Sequence, residues 1–171
     1  LDDRYRAPTT TPFISQPFCA REYDLFSVES LNDGEYAGTK HKISIANIRG
    51  SIDQANPYGT FSLQVRDFND TDGKIQVIEQ FDNLTLDPRS EHYVLRAVGD
   101  RRVTFNFDDP DPNERRLVIK GTYPNRSKHV RIVPSDDLVN NIVPKNALPF
   151  GFRGLSILKT NDNLIDSGTL T

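Results

Sequence analysis

Thr60-Phe61-Ser62-Leu63-Gln64-Val65-Arg66-Asp67, followed after the polar run Asn69-Asp70-Thr71-Asp72-Gly73 by Lys74-Ile75-Gln76-Val77-Ile78-Glu79-Gln80-Phe81, is the stretch that decides the fold. Phe61, Leu63 and Val65 alternate with Ser62, Gln64 and Arg66, the period-2 pattern of a strand with one buried face. Ile75, Val77 and Phe81 share the odd positions of the second run, so the two runs read as an antiparallel hairpin. A two-residue turn at Asp72-Gly73 would set Val65 against Gln80 and mix the faces. A five-residue loop instead sets Val65 opposite Val77 and Phe61 opposite Phe81, with a Leu63/Glu79 mismatch for a bulge to absorb.

The same alternation extends outward. His41 to Arg49 carries Ile43 and Ile45 against Lys42 and Ser44. Val103, Phe105 and Phe107 alternate with Arg102, Thr104 and Asn106, and Arg115 to Gly121 returns with Leu117 and Ile119. With Phe107 facing Arg115, Phe105 meets Leu117 and Val103 meets Ile119, so one face of this second hairpin is apolar throughout. The expectation is that Phe61, Phe81, Phe105 and Phe107 all face the core. His129 to Val133 adds a short strand through Val130 and Ile132. Between the hairpins a helix is predicted near 88–98: Asp87 suits its N-cap, Pro88 its first position and Gly99 its end, with Tyr93, Val94, Ala97 and Val98 as the apolar stripe. The fold class is therefore α+β, mainly β, with antiparallel hairpins in a sandwich-like or mixed sheet and one or a few short helices. Residues 1–22, with Pro8, Pro12 and Pro17, read as an extended arm or linker. Residues 23–133 form the β-rich domain, and 134–171, interrupted by Pro134, Pro144 and Pro149, an irregular connecting segment with short helical turns.

Composition bounds the function. The 171 residues carry a formal charge of −3, 36% hydrophobic and 9% aromatic residues, enough for one domain with a real core. Acids and bases are interspersed, which marks neither a nucleic-acid groove nor an anionic-lipid surface, and no run is long and apolar enough for a membrane helix. A single cysteine, Cys19, excludes an internal disulfide and reads as a small buried or neutral residue. The chain opens at Leu1 and contains no Met, so the expectation is a fragment of a longer chain or a trimmed one.

Candidate chemistry is sparse. With Gly73 at the sixth position of a calcium loop, Asp70 falls on the third, Asp72 on the fifth and Glu79 on the twelfth. Phe68 occupies the first ligand position and strands flank the loop, so a polar hairpin turn is the better reading. The loop Asp108 to Glu114 is a second acidic turn, stiffened by Pro110 and Pro112. His41, His92 and His129 stand singly on different elements, without a second ligand at metal-binding spacing. No phosphate loop, nucleophile elbow or Cys–His pairing presents itself, so the expectation is no catalytic residue, no metal site and no cofactor. Three N-glycosylation tripeptides begin at Asn69, Asn83 and Asn125, and short patterns of this kind arise by chance. The bases Arg101, Arg102, Arg115, Arg116, Arg126, Lys128 and Arg131 read as a solvated sheet face rather than a polyanion site.

A set of short stretches in fixed order carries a resemblance: Tyr58-Gly59-Thr60-Phe61-Ser62-Leu63-Gln64-Val65-Arg66, Asp70-Thr71-Asp72, Val77-Ile78-Glu79-Gln80-Phe81, Asn83-Leu84-Thr85-Leu86-Asp87-Pro88, Val98-Gly99-Asp100, Tyr123-Pro124-Asn125-Arg126-Ser127, Val143-Pro144-Lys145 and Leu148-Pro149-Phe150-Gly151-Phe152. Together with Asp24-Leu25-Phe26 and Ser30-Leu31-Asn32-Asp33-Gly34 they resemble the middle region of contractile-tail sheath proteins of myovirus-type bacteriophages, over roughly residues 23 to 154. The resemblance implies a structural subunit that polymerises around a tail tube and contracts during DNA delivery. Its partners would be other sheath subunits, the tube protein and the baseplate, in the virion or, during assembly, the host cytoplasm. It implies no enzymatic activity, no membrane and no direct nucleic-acid binding. The C-terminal core domain of whole sheath proteins is not recognisable, so the fragment is expected to be a monomer in solution. The alternative is a non-enzymatic β-sandwich adhesin or receptor-binding module using exposed loops such as Asp108 to Glu114.

Overall fold

The computed structural model describes residues 7–154, apart from positions 33, 35, 54, 108, 109 and 114. The ends of the acidic loop Asp108 to Glu114 and the segment 155–171 thus lie outside the described residues. In chain order the elements are β1 (Phe13–Ser15), β2 (Asp24–Ser30), α1 (Tyr36–Lys40), β3 (His41–Arg49), β4 (Thr60–Asp67), β5 (Val77–Leu84), α2 (Val94–Val98), β6 (Arg102–Phe105), β7 (Leu117–Lys120), β8 (Val130–Pro134), α3 (Asp136–Val139) and β9 (Pro149–Phe152). The protein is mainly β with three short helices, and every ladder between named strands is antiparallel. The sheets run β8-β2-β1-β9, β3-β4-β5 and β6-β7.

The alternation in β4 does what its pattern demands: Phe61, Leu63 and Val65 are wholly buried. They meet Phe13, Phe26, Val28 and Ile132 of the four-stranded sheet, with Leu84, Val94 and Val98, in one core. The rings of Phe26 and Phe61 stack at 6.1 Å between centroids and join the two larger sheets directly. Helix α2 packs on β8 and β5, and α3 on β2.

The first hairpin forms, but in a different register. Leu63 lies opposite Phe81, Val65 opposite Glu79 and Phe61 opposite Leu84, in place of the expected Val65/Val77 and Phe61/Phe81 pairs. A slip of two residues keeps the inward face inward, so the pattern alone could not distinguish the registers. The connection decides it. The buried Asp70 carboxylate accepts the Gln76 N–H at 2.9 Å, and the Asp67 N–H donates to the Gln76 carbonyl at 2.9 Å. β5 therefore starts at Val77, and bulges flank the central pairs.

The predicted helix at 88–98 shrinks to Val94–Val98. The Asp87 carboxylate accepts the Arg89 N–H at 3.0 Å, but the Asp87 carbonyl accepts from Ser90, closing an isolated turn instead of launching a helix. The backbone is then captured by Thr85, whose N–H donates to the His92 carbonyl and whose carbonyl accepts from Val94. Gly99 does end the helix at positive φ (+109°), with an extended ψ of 149° rather than a left-handed helical one.

Both ends of the described chain are tied into one sheet. Within the predicted arm, Phe13 is buried and β1 lies between β2 and β9. In the predicted connecting segment α3 is a short helical turn, its N-cap Ser135 hydroxyl accepting the Leu138 N–H at 3.2 Å. Strand β9 in the same segment was not anticipated. It is an edge strand that starts on proline, the place where a strand tolerates one. Cys19 is exposed, in a turn at φ +57°, contrary to a buried reading.

Candidate interaction surface

The β6–β7 hairpin takes the expected register, Phe105 opposite Leu117 and Val103 opposite Ile119. Its sidedness is the reverse of the expectation. Arg102, Thr104, Asn106 and Val118 are half-buried, while the apolar face is turned outward, with exposures from 41% at Phe105 to 70% at Phe107. None of the hairpin's described side chains joins the buried core. Phe105 and Phe107 touch each other, at 4.6 Å between ring centroids, and Leu117 and Ile119 complete the face beside Val103.

This orientation is imposed at the hairpin's root. The buried Asp100 carboxylate accepts N–H bonds from Thr122 (2.9 Å) and Tyr123 (2.6 Å). The Asn125 side chain accepts from the Arg101 N–H at 3.0 Å and donates to the Arg101 carbonyl at 2.7 Å. Gly121, at φ +90°, lets the returning strand pass against the Asp100 carbonyl, which a Cβ would approach to 2.3 Å. On the body side a clasp completes the attachment. Glu29 of β2 accepts from Arg131 of β8 (Nη2 at 2.9 Å, Nε at 3.2 Å) and from Arg102 of β6 (Nη1 at 3.2 Å). Arg102 and Arg131, read from sequence as part of a solvated basic face, thus converge on one buried carboxylate. Asn125, read as a chance glycosylation match, is a structural clamp.

At the turn end of the β4–β5 pair Phe68, Ile75, Val77 and Ile78 are all exposed, and the Asp72 side chain is fully exposed while pairing with Arg66 at 3.5 Å. Asp70 in the same turn is buried. It takes a two-point bond from Arg66 (Nε 2.7 Å, Nη2 2.9 Å), and the Lys42 ammonium pairs with it as well. The Arg66 guanidinium chiefly holds the Asp70 carboxyl far below the usual carboxylate range, against the opposing effect of burial. Glu79 turns away to accept from the Ser127 hydroxyl at 2.6 Å and the Lys128 N–H at 3.0 Å. The fold therefore separates the three carboxylates that the calcium-loop spacing aligned, and among the described residues no three metal-ligating side chains converge.

His41 and His129 are single in sequence but adjacent in space, with ring centroids 4.9 Å apart. Burial, then the neighbouring His129, lowers the pKa of His41. His41 also borders a largely apolar cavity of about 280 Å³ beneath the arm, lined by Pro8, Thr10, Val28, Ala37 and Val130 among others. His92 is exposed and apart from both. No helix among the described residues is long and apolar enough to cross a membrane. Compared with known proteins, the chain matches no family model, and neither a curated protein nor a solved structure is detectably similar to it.

Proposed function

We propose that this chain is the middle region of a contractile-tail sheath subunit of a bacteriophage, a structural protein that polymerises around a tail tube and catalyses no reaction. The order and content of the stretches between residues 23 and 154 support the family resemblance. The observation that carries the assembly reading is the inverted β6–β7 hairpin. A two-stranded ribbon is marginal by itself in water, and this one exposes its apolar face while its polar face is anchored to the body. Such sidedness suits a subunit whose outer surface is covered by neighbours. Sheath subunits, the tube protein and the baseplate are the partners this reading assigns.

The test is electron microscopy of the full-length parent chain, expressed alone and together with a tail-tube protein from the same genome. Tubes of stacked rings are the expected result. Closed trimers that ignore the tube protein would overturn the proposal in favour of a receptor-binding module.

A further inference from the structure

We infer that the cleft at the root of the β6–β7 hairpin is a binding site for a small oxyanion, a phosphate or carboxylate group held by the guanidinium groups of Arg101 and Arg102. The inference goes beyond the sheath reading and does not depend on it.

The cleft has a volume of about 190 Å³ and lies between the start of β6, Ser30 and Leu31 at the end of β2, Arg131 of β8 and Ala7 of the arm. Arg101, Arg102 and Arg131 all line it. Among the described residues Glu29 is the one carboxylate in the lining, so positive charge exceeds negative by two. A water molecule's share of liquid volume is about 30 Å³, so the space suits a single oxyanion with a few waters and not a polymer.

The three arginines differ in what they already hold. Arg131 is committed, because its Nε and Nη2 donate to Glu29 and its Nη1 to the Asp100 carbonyl. Arg102 is half-exposed and gives only Nη1 to Glu29. The Arg101 side chain takes part in none of the ion pairs among the described residues, and its Nε is buried without a hydrogen-bond partner. The adjacent Asp100 carboxylate does not serve it, since that group accepts from the Thr122 and Tyr123 N–H groups. A buried cationic N–H without an acceptor costs free energy, and a phosphate or carboxylate oxygen recovers it through a charge-assisted bond.

The site is also prepared in advance. The Asn125 side chain holds the Arg101 backbone by both its N–H and its carbonyl, and Glu29 holds Arg102, so little of the binding energy is lost to ordering the two residues. A bound oxyanion adds a further tie at the place where the hairpin meets the body. Because the cleft exists only in the folded chain, the anion stabilises the fold.

The test titrates the chain with inorganic phosphate and, separately, with acetate, each against sodium chloride at matched ionic strength. Calorimetry should show one saturable site, and Tm should rise by about 3–6 °C once the anion stands tenfold above its Kd. Saturation by either anion supports the inference, and the tighter of the two names the group. In proton–nitrogen correlation spectra the Arg101 Nε–H resonance, identified by its loss in Arg101→Gln, should move during the titration. Those of Arg66 and Arg153, already bonded to Asp70 and Asp24, should stay in place. Arg101→Gln should weaken binding about tenfold or more, while Arg101→Lys, which keeps the charge and loses the fork, should recover part of it. Without added anion Arg101→Gln should melt no lower than the wild type, since it removes no protein contact and relieves an unpaired buried cation. Chloride raising Tm as much as phosphate and acetate do, an Arg101 resonance that does not move, or a variant that binds as tightly as the wild type would each overturn the inference and leave Arg101 to water alone. A variant that melts several degrees lower without anion would overturn it too, by making Arg101 a support of the fold.

Discussion

Removing the Glu29 carboxylate should destabilise the protein far more than removing Arg102, the half-exposed end of its ion pairs. The Glu29 and Arg131 side chains are 11% and 12% exposed, whereas Arg102 is 39% exposed. Taking one partner from a buried pair costs about 3–5 kcal/mol, because the remaining charge stays desolvated and unpaired. Arg131 retains a bond to the Asp100 carbonyl at 3.2 Å and some solvent, which lowers the expectation for Glu29→Ala to about 2–3 kcal/mol. For a chain of this length that is a fall in Tm of roughly 4–12 °C. Arg102→Ala removes a half-exposed arm of the same clasp and should cost about 0.5–1 kcal/mol. The assay is urea unfolding followed by far-UV circular dichroism, since the chain has no Trp. The double variant Glu29→Ala/Arg131→Met should recover much of the loss, because no buried charge is then left alone. A cost for Glu29→Ala no greater than that for Arg102→Ala would refute the clasp as an anchor.

Gly99→Ala should cost about 2–4 kcal/mol by thermal melting, since φ is +109° and a Cβ would lie 2.3 Å from the Asn125 Cα, while Gly73→Ala, facing open space, should be nearly silent. Calcium titration by calorimetry should give no heat beyond dilution and no rise in Tm, because Arg66 and Lys42 already neutralise Asp70; a rise of several degrees would revive Asp70, Asp72 and Glu79 as ligands. For His41 the folded pKa lies below the unfolded value, so stability is fully present above about pH 6.5 and falls as pH drops through that value towards the folded pKa. His41→Gln should flatten that slope in Tm against pH, and an unchanged slope would contradict the assignment.

Strands β3 and β4 were legible because Ile43 and Ile45 in one, and Phe61, Leu63 and Val65 in the other, alternate with polar residues and turn to the core. Alternation says that a strand has two faces; it does not say which one the rest of the protein covers. The β6–β7 pair shows the difference, since its register followed from pairing apolar positions while its sidedness was set by Asp100, Asn125 and Glu29, which no local pattern connects. Strands β1 and β9, three and four residues long and respectively preceded by or starting on proline, are too short to show a period. The start of α2 was misread because Asp87-Pro88 caps a turn as readily as a helix, and only the capture of residues 92–94 by Thr85 distinguishes the two. The clasp residue Glu29 had no signal in sequence, because its partners become its neighbours only after folding.

The expectation of a monomer rested on apolar positions committed to the chain's own core, and for β6 and β7 that premise is wrong. The size of the exposed face supports the same expectation on other grounds. Covering on the order of 500 Å² of apolar surface on the hairpin gains on the order of 12 kcal/mol gross. Bringing two free molecules together costs about 4–15 kcal/mol in lost translation and rotation, so an isolated pair stands near balance. Inside a polymer, where other contacts already hold the neighbours in place, that cost is not incurred again and the hairpin contact contributes nearly its whole gain. A face of this size can therefore be nearly silent in dilute solution and decisive in an assembled tube. Substituting Phe107 by Asp should then leave the stability of the isolated chain almost unchanged while abolishing or severely weakening polymerisation of the full-length chain. Equal effects on both would mean that Phe107 supports the fold of its own subunit and not the contact with the next.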